Sequence, residues 1–261
     1  MNRIPKLFSN KKKNICSIYF TAGFPKLNDT ENILLALQNN GADIIEIGMP
    51  YSDPLADGPV IQHSSMAALH NGITINLLFR QLKNCRETIQ LPLILMGYLN
   101  PVLQYGIEKF CSDARDVGID GIILPDLPLY EYETEYKELF QKYNLHFIFL
   151  ITPETSEERI RKIDTISDGF IYAVSSSSIT GSDKNISAQK NYFQRIENMH
   201  LKNPVMIGFG IRDHQTFSEA CEYSAGAIIG TAYIKAIENS VNLERDTALF
   251  LNSILEPQPL V

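Results

Sequence analysis

The chain has 261 residues, 44% hydrophobic and 20% charged, the composition of an ordinary globular protein and not of a disordered or fibrous one. Thirty carboxylates against twenty-three cations give a net charge of −7, which argues against nucleic acid or an anionic membrane surface as a partner. The four cysteines, Cys16, Cys85, Cys111 and Cys221, lie far apart with no CxxC pair, so they read as reduced thiols and not as a disulfide frame or a zinc site.

The chain opens on a basic stretch, MNRIPKLFSNKKKN, whose Lys11, Lys12 and Lys13 read as a solvated approach to a first strand. The apolar run at 15–23 is too short, and too interrupted by Ser17 and Thr21, for a signal peptide or membrane span; a cytoplasmic protein is expected. Eight apolar runs of strand length then follow, at 16–21, 43–48, 93–97, 121–124, 147–151, 170–174, 205–208 and 227–229. Their richness in Ile, Val, Leu and Phe suits parallel strands buried on both faces.

The segments between these runs have helical spacing. Two helical stretches, around 61–70 and 74–88, fill an enlarged connection between the second and third runs, after a loop at 49–59. Tyr132, Tyr136, Leu139, Phe140 and Tyr143 recur at i, i+4, i+7, i+8 and i+11, one face of a helix. Thr155 followed by Glu158 predicts a capping box for the next helix, and Asp213 predicts a later cap. Gly41, Gly118, Gly169 and Gly226 stand between helix and strand, where a left-handed residue ends a helix. Eight strands alternating with helices over about 250 residues is the arithmetic of a (β/α)₈ TIM barrel. A doubly wound sheet would carry a Gly-rich first turn, which Thr21-Ala22-Gly23-Phe24-Pro25 is not. With no linker or repeat in view, residues 1–261 are expected to form a single α/β barrel domain with an enlarged second βα connection.

An active site in this architecture lies where strands end and βα loops begin. Polar residues at those ends include Glu46, Asp53, Asp57, Tyr98, Asn100, Asp126, Thr152 and Tyr172. Within Asp43–Gly48, alternation puts Ile45 and Ile47 on one face and Glu46 on the other, which should face the barrel interior. A carboxyl held there is desolvated and its pKa rises, fitting proton transfer near neutrality; a structural carboxylate tied into a buried network is the competing use, and the strand-end position favours the first. Asp53 and Asp57 sit in PYSDPLADGP, where Asp-Pro and Asp-Gly also serve as plain turn formers, but the loop springs from the barrel mouth. Gly208-Phe209-Gly210 and Gly230-Thr231 follow the last two strands and precede helices, the usual phosphate cradle of barrel enzymes. The five histidines show no metal-ligand spacing, so no metal is expected, and His146 opens its strand on the opposite face. No lysine falls at an assignable inward strand end, against a Schiff-base aldolase.

The segment EIGMPYSDPLADGPVIQ, Glu46 to Gln62, closely resembles the signature of the tryptophan synthase α subunit. The resemblance continues through TAGFP at 21–25, LPDLP at 124–128, Tyr172 with Thr180-Gly181, IGFGI at 207–211 and GAIIGTAYIK at 226–235. It implies a TIM barrel that cleaves indole-3-glycerol phosphate to indole and glyceraldehyde 3-phosphate. It further implies an α₂β₂ assembly in which indole passes to a pyridoxal-phosphate β subunit, with no cofactor in this chain. Carried residue by residue, it implies Glu46 as general acid/base and Asp57 as the carboxylate facing the indole nitrogen. Tyr172 becomes a pocket tyrosine; Gly181, Phe209, Gly210, Gly230 and Thr231 become the phosphate site. Thr180 becomes a mobile-loop partner of Asp57, and Pro50 and Asp53 become positions facing the β subunit. One departure is visible: the family has a glycine two residues before that threonine, where this chain has Ser178. Two rivals remain. An indole-glycerol-phosphate synthase would need a strand-end lysine, and a non-catalytic barrel kept to activate a partner would not need both Glu46 and Asp57.

Overall fold

A computed structural model describes residues 2–174, 190–208 and 210–257. Nine strands form one all-parallel sheet: β1 Ile15–Thr21, β2 Ile44–Gly48, β3 Leu93–Met96, β4 Gly121–Ile123, β5 His146–Phe147, β6 Phe149–Ile151, β7 Ile171–Val174, β8 Val205–Gly208 and β9 Gly226–Ile229. Their order is β5-β4-β3-β2-β1-β9-β8-β7-β6. The two ends of that order are halves of a single run, so the sheet curls into a barrel. The expected fifth strand is thus two pieces and begins one residue early, at His146. Its first half pairs with β4 and its second with β7, and Ile148 between them still donates its N–H to Ile122 O at 3.0 Å.

Strand alternation sorts the core into two clusters. Ile45 and Ile47 of β2 face outward and pack with Ile33, Leu34 and Leu78 of the helix layer. Ile44 faces inward with Ile15, Ile94, Ile123, Ile148, Phe170, Met206 and Ile228. That inner cluster is closed from below by a helix, Arg3–Asn10, which the sequence pattern did not announce. Its Ile4 and Phe8 enter the barrel, Phe8 lying 5.8 Å from Phe170 between ring centroids. Asn2 caps this helix, and its amide also donates to Asp120 O and Asn144 O, at 2.7 and 3.0 Å. Only two apolar turns enter the interior from an eight-residue segment, too short a periodic signal to separate from a basic lead-in.

The enlarged second connection holds helices Pro59–His70 and Ile75–Leu82 and a 3₁₀ turn, Cys85–Glu87. The tyrosine-rich face at 132–143 is helical, with a π turn at Tyr132–Tyr136 inside it and Tyr132, Phe140 and Tyr143 buried. Asp213 caps its helix in a box with Thr216, as its position predicted. Other punctuation differs. The helix Glu157–Ile166 is capped by Ser156; Thr155 instead accepts from Thr152 N–H at 2.9 Å, closing the turn before it. Gly41 and Gly118 take positive φ, but Gly169 and Gly226 do not. Gly226 answers to close packing, since a Cβ there would lie 2.0 Å from Ile15 O. Nor is the lysine run merely solvated: Lys11 pairs with Asp43 at 2.6 Å, and Lys13 donates to Cys221 O and Glu222 O.

Asp120 ties the lower end together. Its buried carboxylate accepts from Arg86 Nη2 at 2.6 Å, Arg3 Nη1 at 3.2 Å, and the backbone N–H groups of Arg3 and Leu93. Removing one partner of a buried ion pair strands the other charge, which typically costs about 3–5 kcal/mol. Asp120→Ala should therefore lower the unfolding free energy by about that amount in urea titration. A change below about 0.5 kcal/mol, the level of an ordinary surface substitution, would show that the network is not a clamp.

Candidate active site

The upper half of the interior is polar because of β1. Its inward residues after Ile15 are Ser17, Tyr19 and Thr21, all hydroxyl-bearing, while Cys16, Ile18 and Phe20 pack outward. Register places Tyr19 beside Glu46 of β2 and Ile94 of β3 on its other side. Glu46 is fully buried, and Ser17 Oγ donates to its Oε1 at 2.8 Å. Its Oε2 has no hydrogen-bond partner among the described residues. Burial pushes the carboxyl up to about 7, against the opposing pull of the Ser17 hydroxyl.

Two tyrosines flank this carboxyl, each lying over a glycine of a neighbouring strand. A Cβ at Gly48 of β2 would meet Tyr19 Oη at 2.1 Å, and one at Gly208 of β8 would meet Tyr172 Cε2 at 2.3 Å. Burial keeps both phenols neutral far into the alkaline range, and the charges of Glu46 and Asp57 push both the same way. These four residues therefore share one electrostatic environment at the C-terminal mouth.

Asp57 arrives from the loop after β2 and is half-buried. Burial pushes its carboxyl above the ordinary range, and a hydrogen bond from Tyr98 pulls it back. The loop that springs from the barrel mouth thus folds over it, and its aspartate is less solvated than a turn former on an open surface. Tyr98 also accepts from Ala56 N–H at 3.0 Å, so one hydroxyl holds both the loop and its carboxylate. Tyr51 packs on Tyr98 at 5.4 Å, and Asn100 Nδ2 donates to Tyr51 Oη at 3.2 Å. Asp126 of the fourth loop accepts from Leu99 N–H through both carboxylate oxygens, at 2.9 and 3.1 Å. Further out on the same loop, Pro50 is half-buried, Asp53 is exposed and Leu55 is 86% exposed.

The two glycine turns stand on adjacent strands, β8 and β9. Gly210 has φ +68°, a conformation glycine adopts without strain. Gly230 precedes the helix Thr231–Ile237, and a Cβ there would come within 3.3 Å of the Tyr19 ring. Phe209, Thr180 and Gly181, together with Ser178, lie outside the described residues. Ser17 and Tyr19 were not singled out by sequence reasoning. Their signal was there in the hydroxyls at alternate positions of an otherwise apolar strand.

The family model for "Tryptophan synthase alpha chain" matches residues 6–255. The chain belongs to the tryptophan synthase alpha chain family. It is 57% identical over 241 residues to the tryptophan synthase alpha chain of Flavobacterium johnsoniae, covering 92% of this chain and 95% of that one. Against the alpha chain of Phocaeicola vulgatus it is 53% identical over 257 residues, covering 98% of both. A crystal structure of the Legionella pneumophila alpha chain superposes with a TM-score of 0.86 at 35% identity, covering 97% of this chain and 96% of that one. The tryptophan synthase alpha barrel is thus the fold here, and Glu46–Gln62 spans the end of β2, the loop carrying Asp57 and the start of the helix Pro59–His70.

Burying Glu46 in this alpha-family barrel has a cost that depends on pH. Its pKa rises from 4.5 to about 7 in the folded chain, so the folded state holds the proton more tightly than the unfolded one. The stabilisation from that proton is fully present below pH 4.5, is lost as pH rises through about 7, and is constant above. Glu46→Gln, which carries no charge to bury, should therefore gain about 2 kcal/mol relative to the wild type between pH 5 and pH 8. Urea unfolding of both proteins at the two pH values measures this; an unchanged difference would mean that Glu46 titrates normally.

Proposed function

We propose that Glu46 and Asp57 carry the chemistry of this carbon–carbon lyase, the cleavage of indole-3-glycerol phosphate to indole and glyceraldehyde 3-phosphate. The observation that carries the assignment is Glu46 itself: fully buried, one oxygen held by Ser17, its carboxyl pushed up to about 7. Cleavage first needs a proton on indole C3, which leaves positive charge spread to the ring nitrogen. The glycerol hydroxyl beside C3 then loses its proton, the carbon–carbon bond breaks, an aldehyde forms and indole departs. A carboxyl that gives a proton to carbon and takes one back from oxygen ends as it began, and a pKa near neutrality suits both transfers. Asp57, ionised with the help of Tyr98, stabilises the charge at the ring N–H.

The remaining roles are those that the family resemblance implies. Tyr172 walls the pocket beside Glu46. Gly210, Gly230 and Thr231, with Phe209 and Gly181, bind the phosphate through backbone N–H groups, a mode that needs no net positive charge. Thr180 is assigned, from the family resemblance alone, as a partner of Asp57. Pro50 and Asp53 face a β subunit in an α₂β₂ assembly, and exposed Leu55 on the same loop supports a contact surface there. Pyridoxal phosphate resides on that β subunit, not on this chain. Residues 1–261 form one domain working in the cytoplasm; among the described residues no helix is long and apolar enough to cross a membrane.

Single-turnover indole release tests the assignment. Glu46→Gln should abolish cleavage while leaving substrate binding largely intact, and Asp57→Asn should slow it by about 10²-fold or more. Near-wild-type cleavage by Glu46→Gln would move the proton transfer to Tyr172 or to water.

A further inference from the structure

We infer that Ser17 is a positioning residue for this reaction, fixing the Glu46 carboxyl so that Oε1 is held and Oε2 is presented to the substrate. The inference rests on the assignment of Glu46 as the proton-transfer group.

Ser17 sits one inward step below Tyr19 on β1, directly across from Ile44 and diagonal to Glu46. Its inward neighbours on these strands, Ile15 and Ile44, are apolar members of the lower cluster. A hydroxyl at the boundary between that apolar layer and the polar mouth is fully buried, and a buried hydroxyl without a partner costs about 1–3 kcal/mol. The Ser17 hydroxyl is satisfied by Glu46 Oε1 at 2.8 Å. Binding one carboxyl oxygen fixes the rotation of the group about its last torsion. Oε2 is then left as the oxygen available for proton exchange, and it has no partner among the described residues. Because the hydroxyl donates to the carboxylate, it also stabilises the ionised form that burial opposes, making Glu46 a stronger acid toward indole C3. The other groups facing Glu46 do not do this work. Tyr19 of β1 and Tyr172 of β7 stay neutral across the working range, Asp57 is a second negative charge, and Ile94 of β3 is apolar.

The test compares Ser17→Ala and Ser17→Thr with the wild type in indole formation, across pH 6 to 10, beside Glu46→Gln. Removing the hydroxyl should cut kcat by about tenfold to a hundredfold with little change in KM, since it weakens and misaims the acid without touching substrate. Glu46 must start protonated, so kcat falls as pH rises through its pKa. In Ser17→Ala that alkaline limb should move up by about one pH unit, and Ser17→Thr should restore both rate and limb. Circular dichroism and urea midpoints report whether each variant is folded. A Ser17→Ala protein with wild-type kcat, or one whose lost rate comes with an unmoved limb, would overturn the inference while leaving Glu46 in place. Wild-type cleavage by Glu46→Gln would overturn the assignment beneath it, so the two failures are distinct.

Discussion

Glu46 is a carboxyl taken fully out of water, and the free energy of keeping it there shapes the mouth of the barrel. An ionised carboxylate in an apolar interior is costly enough that the group responds by shifting its pKa. Here a single neutral hydroxyl, Ser17, is set against that cost, and no cation among the described residues is in hydrogen-bond contact with Glu46. A lysine or arginine partner would have fixed the carboxylate as an anion. A hydroxyl leaves it balanced between its two forms near neutrality, which is the condition for giving and then recovering a proton.

The rest of the interior follows from that choice. Below Glu46 the barrel is filled with isoleucine, phenylalanine and methionine and closed by Ile4 and Phe8 of the N-terminal helix. That plug needs its own anchor, which Asn2, Arg3, Arg86 and Asp120 supply at the lower rim. Above Glu46 the room for chemistry comes from missing side chains: Gly48 and Gly208 let two tyrosine rings lie against the strands. The polar network beyond them runs from Asp57 through Tyr98 to the Leu99 N–H held by Asp126, joining three successive loops. Stability is concentrated at one end and reactivity at the other, as barrels of this class require.

Much of this was legible in the chain. Strand alternation around Glu46 gave its inward direction, because flanking isoleucines on both sides leave a period-2 pattern one reading. Asp213 announced its cap by the same local logic. What escaped depended on contacts distant in sequence. The N-terminal helix is defined by Asp120 and Asn144, more than a hundred residues away, and not by its own eight-residue pattern. The fifth strand looks continuous because its apolar run is continuous; only the change of neighbour from β4 to β7 divides it. Ser17 was read merely as an interruption in an apolar run, since its partner lies on another strand. The hold on Asp57 was equally hidden, because a loop rich in Pro, Asp and Gly resembles any surface turn until Tyr98 fixes it over the mouth.

The central claim is that Glu46 titrates near neutrality inside the folded barrel. Difference infrared spectroscopy of the wild type against Glu46→Gln isolates the carbonyl stretch of this one protonated carboxyl as pH is raised. The account predicts a band that disappears with a midpoint near 7. A midpoint close to the ordinary glutamate value of 4.5 would contradict it, because the carboxyl would then be a permanent anion with no proton to give.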